Sequence, residues 1–253
     1  MSFDLTLNNY RSLCTAIKER QSDCRFISYL NSAKKGGAII LRHDVDRKPK
    51  RALRMAKVES EVGILSTYFF RSTREAFRPE IMKEIEGMGH EVGYHYEALV
   101  KAKGDYDKAS VLFEKDLRSF REHVEVRTIC SHGSPLSKFD GRDLWKEKTF
   151  TNYGIAGDAS VSVSGVAYFT DTGGKWGSKA NIRDNMGGNN DDLVVHATRE
   201  MIELLKKEIN INIYINCHPE RWAINVIESA IQSVKDSTIN AVKFIIMSVR
   251  KNG

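Results

Sequence analysis

The sequence predicts an α/β fold with a parallel sheet or barrel at its centre, and three observations carry that prediction. From about residue 38 onward, apolar strand-like runs alternate with amphipathic runs of helical period. The connections between them are mostly short, with no fixed-period repeat and no low-complexity linker. Several strand candidates end in an ionisable residue, as strands do where a parallel sheet presents its carboxyl-terminal edge.

The elements follow in order. Leu7, Tyr10, Leu13 and Ile17 recur at three-and-four spacing, which predicts an N-terminal helix within residues 4–31 and makes 1–35 a helical extension of a single domain spanning 1–253. After Gly36-Gly37 the run AIILRHD reads as a buried strand. Pro49 opens a helix that Gly63 ends, and STYFFR is an aromatic-rich strand. Pro79 starts a helix whose apolar face is Ile81, Met82 and Ile85, stopped by Gly87 and Gly89 before the short strand EVGYH. A long amphipathic run, DYDKASVLFEKDLRSFREH, leads to the strand in VRTICSHG. Residues 134–190 are rich in Gly, Asn, Asp and Ser, and only VAYFTD reads as a strand there. The helix HATREMIELLKKEI, the strand INIYINCH, a helix over 220–234 and the apolar VKFIIMSV complete the pattern.

Composition bounds the function. Of the 253 residues, 41% are hydrophobic and 28% charged, which gives ample material for a core and argues against disorder. The net charge of +6 is spread along helices rather than gathered in a tract. The densest basic cluster, RKPKRALR from Arg47, reads as a solvated helix start; an anionic partner is the alternative. No aromatic interleaving accompanies it, so nucleic-acid binding ranks last among the functional readings. Cys14, Cys24, Cys130 and Cys217 form no CxxC pair and are expected to be reduced, packed thiols. No segment reaches the ~20 apolar residues of a membrane span, and the first residues lack an apolar leader, so the cytoplasm is the expected compartment.

The polar residues at the strand ends are the informative feature. RHDVD places Asp44 and Asp46 after the first strand; His95, Asp171, His132 and His218 follow four others. A single such residue is more often a cap or a satisfied polar group. Five strand ends carrying Asp or His converge on one face in a parallel architecture, and that combination suits zinc or a related divalent ion, with spare groups for acid and base. His43 alternates to the opposite side of the strand from Asp44, which makes packing or an indirect role its expectation. His123 and His196 fall in helical patterns. Trp176 and Trp222 are either core residues or faces for a sugar ring.

The motifs RHDVD, GHEVGYHYE, TDTGGKW and INCHPERW, in this order over 38–222, resemble the polysaccharide deacetylase superfamily, metal-dependent enzymes that remove acyl groups from sugars. The resemblance implies a distorted (β/α) barrel of about seven parallel strands and one divalent metal, zinc being the expected ion. It implies Asp44 as base, Asp46 and His95 as metal ligands, and His218 as general acid. On its own position, Asp171 is expected either to orient an acid or a catalytic arginine or to cap the TGG turn. Where the family places a second histidine four residues after the first, this chain has Leu99. His132 is the expected replacement, with Glu97 and His90 as alternatives, and CSHGSP stands where an Arg-Pro-type motif is usual. Arg42 is placed to steady the base. The implied reaction is removal of an acetyl group from an amino sugar or glycan, with a carbohydrate or sugar-linked small molecule as partner. The alternatives are hydrolysis of another non-peptide C–N bond, as in a cyclic amide or formylated sugar, and an inactive glycan-binding barrel.

Overall fold

The apolar run before Asp44 folds as β1 (Ile39–Val45), a strand buried along its whole length because helices or other strands cover both of its faces. The computed structural model describes residues 4–32, 36–134, 136–177, 193–207 and 210–224, with Ile227, Glu228, Gln232 and Thr238. Before β1 come two helices, α1 (Leu7–Lys18) and α2 (Phe26–Asn31), where the periodicity alone predicts one. After it follow α3 (Pro49–Val62), β2 (Thr67–Arg71), α4 (Pro79–Gly87), β3 (Glu91–Tyr96), the single turn α5 (Ala98–Lys101), α6 (Tyr106–Arg121) and β4 (Thr128–Ser131). The weakly patterned stretch holds α7 (Leu144–Glu147), β5 (Gly157–Asp158) and β6 (Val166–Thr170), then α8 (Thr198–Leu205) and β7 (Asn212–Cys217).

The local rules are visible at the ends of these elements. Thr6 and Asp105 accept backbone N–H groups of Asn9 and Lys108 at the starts of α1 and α6. Pro49 and Pro79 occupy first-turn positions of α3 and α4, and Gly63 ends α3 at φ 82°, a left-handed conformation that glycine adopts at low cost.

The seven strands among the described residues are all parallel, in the order β5-β4-β3-β2-β1-β7-β6. Five strand spacings separate β5 from β7, about 24 Å in a flat sheet. Yet the Tyr214 hydroxyl on β7 donates to the Ala159 carbonyl just after β5 at 3.1 Å. The sheet therefore curls into an open, distorted barrel. Its interior is filled by Phe26, Ile40, Phe69, Cys130, Tyr168 and Tyr214, while two larger apolar clusters pack the helices against its outer face. Gly93 lets β3 pass this interior: a Cβ there would lie 2.4 Å from the Phe69 ring and 2.8 Å from the Thr128 carbonyl oxygen.

The helix predicted over 220–234 begins differently, since Pro219–Arg221 is a 3-10 turn ended by the extended Trp222; beyond residue 224 of that segment Ile227, Glu228 and Gln232 are described, all helical, and VKFIIMSV lies outside the described residues. The basic run at Arg47 is an internal contact as much as a solvated face. Arg51 donates to the Glu220 carbonyl at 2.6 Å and pairs with Glu228 at 3.0 Å, and Lys48 donates to Gln232. All four cysteines are free and buried. No helix among the described residues is long and apolar enough to cross a membrane.

Candidate metal centre

Strand alternation sorts the polar residues before any tertiary contact is considered. Side chains at 40, 42, 44 and 46 point to one side of β1 and those at 39, 41, 43 and 45 to the other. Ile40 lies in the barrel interior and Ile39 and Leu41 in the outer core, so Arg42, Asp44 and Asp46 climb the interior towards the carboxyl-terminal rim. The same parity brings in Arg71 after Phe69, Glu97 and His95 after Gly93, His132 after Cys130, and Asn216 and His218 after Tyr214.

At the rim, Asp46 Oδ1 lies 3.6 Å from His95 Nε2 and 3.6 Å from His132 Nε2. This oxygen is sealed from solvent and has no hydrogen-bond partner. Burial would raise the Asp46 pKa, but His132, His95 and His218 together hold it below the usual carboxylate value. His95 Nδ1 faces the Cys130 carbonyl oxygen at 3.0 Å, which fixes Nδ1 as the donor and leaves the Nε2 lone pair aimed at the two aspartates. Burial lowers the His95 pKa to about 4, so that nitrogen is unprotonated at neutral pH. His132 is oriented from behind, its Nδ1 2.9 Å from the Ser134 hydroxyl and 3.3 Å from Glu97 Oε2. Glu97 is itself clamped by Arg71 at 2.7 Å and Lys101 at 3.1 Å.

The separation of Asp46 Oδ1 from each of the two imidazole nitrogens fits a shared divalent cation. Two ligands each about 2.1 Å from a tetrahedral ion stand about 3.4 Å apart, close to the spacing found here, and the orphaned Asp46 oxygen is the acceptor such an ion would satisfy. Among the described residues, the set of three donor atoms that all lie within 4.8 Å of one another comes instead from Asp44, His95 and Cys130. It suits a cation less well, because the Asp44 oxygens are taken by a guanidinium and burial keeps the Cys130 thiol protonated.

One level deeper, Arg42 Nε donates to Asp44 Oδ1 at 2.7 Å and Arg42 Nη2 to Oδ2 at 2.5 Å, and Asn216 Nδ2 donates to Oδ2 at 3.1 Å. Burial alone would raise the Asp44 pKa; Arg42 and His95 override it and hold the carboxylate ionised far below its usual range. Asp44 Oδ2 is 3.7 Å from His95 Nε2 and 3.9 Å from His218 Nε2. His218 Nδ1 lies 2.6 Å from Asp171 Oδ1. The same carboxylate accepts the His218 backbone N–H, Arg221 at 3.1 Å and the Trp222 indole at 2.9 Å. Burial and Arg221 both depress the His218 pKa, but Asp171 overrides them and raises it to about 9.

No protein-family model matches this chain, and no curated protein matches it. Among solved structures it is similar to a family 4 carbohydrate esterase from Bacillus anthracis, at 13% identity and a TM-score of 0.39, over 85% of this chain and 76% of that one.

Asp44, Asp46, His95, His132, Asp171 and His218 thus meet on one face, and Glu97 stands behind His132. His90 does not join them. Its ring lies on the outer face, where Nδ1 accepts from the Ser66 amide at 3.2 Å and Nε2 meets the Ala56 carbonyl at 3.1 Å. His43 shares that outer network, 2.7 Å from Glu59, which also accepts from Tyr10, Tyr68 and Ser66. Trp176 and Trp222 are buried core residues, so neither offers a face to a sugar. Sequence reasoning missed Asn216 and Glu220 as members of this face. The alternation that put Asp44 and Asp46 on one side would have found Asn216, counted along β7; Glu220 sits in the 3-10 turn beyond it, where that period does not hold.

Proposed function

We propose that this protein is a metal-dependent hydrolase that removes an acyl group, acetyl in the first instance, from an amino sugar or glycan. The observation that carries the reading is the Asp46 carboxylate, whose sealed and unpartnered Oδ1 is 3.6 Å from two imidazole nitrogens, with an ionised acid and a protonated histidine alongside. The order of RHDVD, GHEVGYHYE, TDTGGKW and INCHPERW supports the same reading from the sequence.

Asp46, His95 and His132 would hold the ion, and one carboxylate with two imidazoles is a donor set that suits zinc. A bound divalent cation supplies Lewis acidity to an acyl oxygen and lowers the pKa of water towards about 7. The remaining chemistry belongs to the protein. Asp44, kept ionised by Arg42, is the proton acceptor during attack. His218, kept protonated by Asp171, carries on Nε2 the proton that the departing nitrogen requires. The two groups titrate far apart, and they stand 3.9 Å from each other across the site, so both charge states coexist at neutral pH. Burial of the walls excludes bulk water and strengthens both interactions.

The test has two stages. Elemental analysis after zinc addition is expected to find one equivalent in the wild type and little in Asp46→Ala, His95→Ala and His132→Ala. Acetate release from N-acetylated amino sugars is then expected from the wild type. Asp44→Asn should keep the metal and lose roughly 10²–10⁴-fold in turnover, the usual worth of a positioned general base. A wild type that takes up no metal would overturn the proposal.

A further inference from the structure

Glu220 is a buried acid that the chemistry above does not use. It lies in the 3-10 turn Pro219–Arg221, two residues beyond His218, and is 1% exposed. Both of its carboxyl oxygens are sealed, and neither has a hydrogen-bond partner. Leaving such acceptors without donors costs several kcal/mol in general, so an acid at this position needs a compensating partner. The closest cation is Arg47, whose Nη2 is 3.6 Å from Glu220 Oε1, beyond hydrogen-bond distance, and whose side chain is 42% exposed. The Glu220 backbone is fixed: its carbonyl accepts from Arg51 at 2.6 Å, and the turn closes through Arg221 N–H to the His218 carbonyl at 2.9 Å. The side chain is within electrostatic reach of Asp46 and His218, the two groups that flank the candidate reaction centre.

We infer that Glu220 is a substrate-positioning residue whose two carboxyl oxygens accept hydrogen bonds from neighbouring hydroxyl groups of a sugar, with Arg47 as a displaceable cover. This deepens, and rests on, the reading of the protein as an acyl-sugar hydrolase. Two oxygens on one planar group match a pair of adjacent ring hydroxyls. Arg47 is loosely paired and half in solvent, so its displacement sacrifices little, whereas Glu220 gains the donors it lacks. Asp46, within electrostatic reach of Glu220, has a side chain 18% exposed, so solvent reaches the rim on that side.

The experiment compares zinc-loaded wild type, Glu220→Gln and Arg47→Ala on two substrates: an oligomer of N-acetylglucosamine, and p-nitrophenyl acetate, which carries an acetyl group and no hydroxyls. Glu220→Gln is expected to raise KM for the sugar roughly tenfold, the loss of one hydrogen-bond acceptor from the bound substrate, with kcat nearly unchanged. Its activity on the ester, its zinc content and its melting temperature should stay at wild-type values or, for the last, rise. Arg47→Ala should bind the sugar at least as tightly as wild type. Equal losses on both substrates, or a fall in zinc content, would overturn the inference and make Glu220 a structural or metal-holding residue. If the wild type cleaves neither substrate, the hydrolase reading fails separately, and calorimetry with the sugar oligomer decides. Binding that is lost in Glu220→Gln sustains the role, and no binding by the wild type overturns it.

Discussion

Arg42 grips Asp44 from two residues earlier on the same strand, with Nε 2.7 Å from Oδ1 and Nη2 2.5 Å from Oδ2, and both side chains are almost wholly buried. Two residues apart on β1 is the shortest spacing that puts both side chains on the same face, so the pair is built by the strand itself. Removing one member leaves the other as an uncompensated charge in the barrel. Arg42→Leu is expected to lower the unfolding free energy by about 3–5 kcal/mol in urea titrations. Arg42→Lys should fold, take up added zinc as the wild type does and lose the proposed acyl-hydrolase activity, because an ammonium cannot reproduce the two-point contact.

Leu99 occupies the position where a histidine four residues after His95 would stand, and the structure gives the physical reason why a histidine would not serve. Leu99 is on α5, 2% exposed, in the outer core with Ala98, Ala102 and Phe113. It faces away from the rim. Leu99→His should therefore leave zinc content unchanged while costing roughly 2–5 kcal/mol, the scale of a lost core leucine compounded by an unpartnered buried polar group. A second equivalent of zinc, or tighter binding, would contradict this geometry.

The Asp171–His218 pair makes stability and activity depend on pH in the alkaline range. His218 has its folded pKa raised from 6.5 to about 9, so its contribution is complete below pH 6.5 and is lost as pH rises through 9. Denaturation midpoints followed from pH 6 to 10 should fall across that window in the wild type. Asp171→Asn removes the attraction and leaves Arg221 beside the ring. Its imidazole should titrate below the ordinary value, and the alkaline limb of the pH–rate profile should move towards acid.

Glu59 does the converse on the outer face. Burial would raise its pKa, but His43 and its hydroxyl donors bring it down to about 2, so the stability it contributes is present above pH 4.5 and disappears as pH falls through 2. Glu59→Gln should be clearly less stable than wild type at pH 7, and the gap should close on acidification. Zinc content should be unaffected, since the network Tyr10–His43–Glu59–Tyr68 is separated from the site by the strand itself.

Much of this protein was decided within short stretches of chain. Apolar runs bounded by glycine and proline determined most strands and helices, and the period of two along RHDVD determined that Asp44 and Asp46 share a face that His43 does not. Residues at the ends of parallel strands emerge on one side, so the meeting of Asp44, His95, His132, Asp171 and His218 was also legible. β5 was not, because two residues, Gly157 and Asp158, carry no periodicity. The division of roles was decided only by tertiary structure. Whether a histidine presents Nε2 depends on what its Nδ1 meets: the Cys130 carbonyl for His95, Ser134 and Glu97 for His132, Asp171 for His218. Whether a carboxylate is paired or orphaned depends on burial and on partners remote in sequence. Asp44 is held by Arg42 and by Asn216 from β7, while Asp46 and Glu220 are left with unsatisfied oxygens. Protonation and hydrogen bonding are set by distances of a few ångströms between strands, and those distances exist only after the sheet has curled.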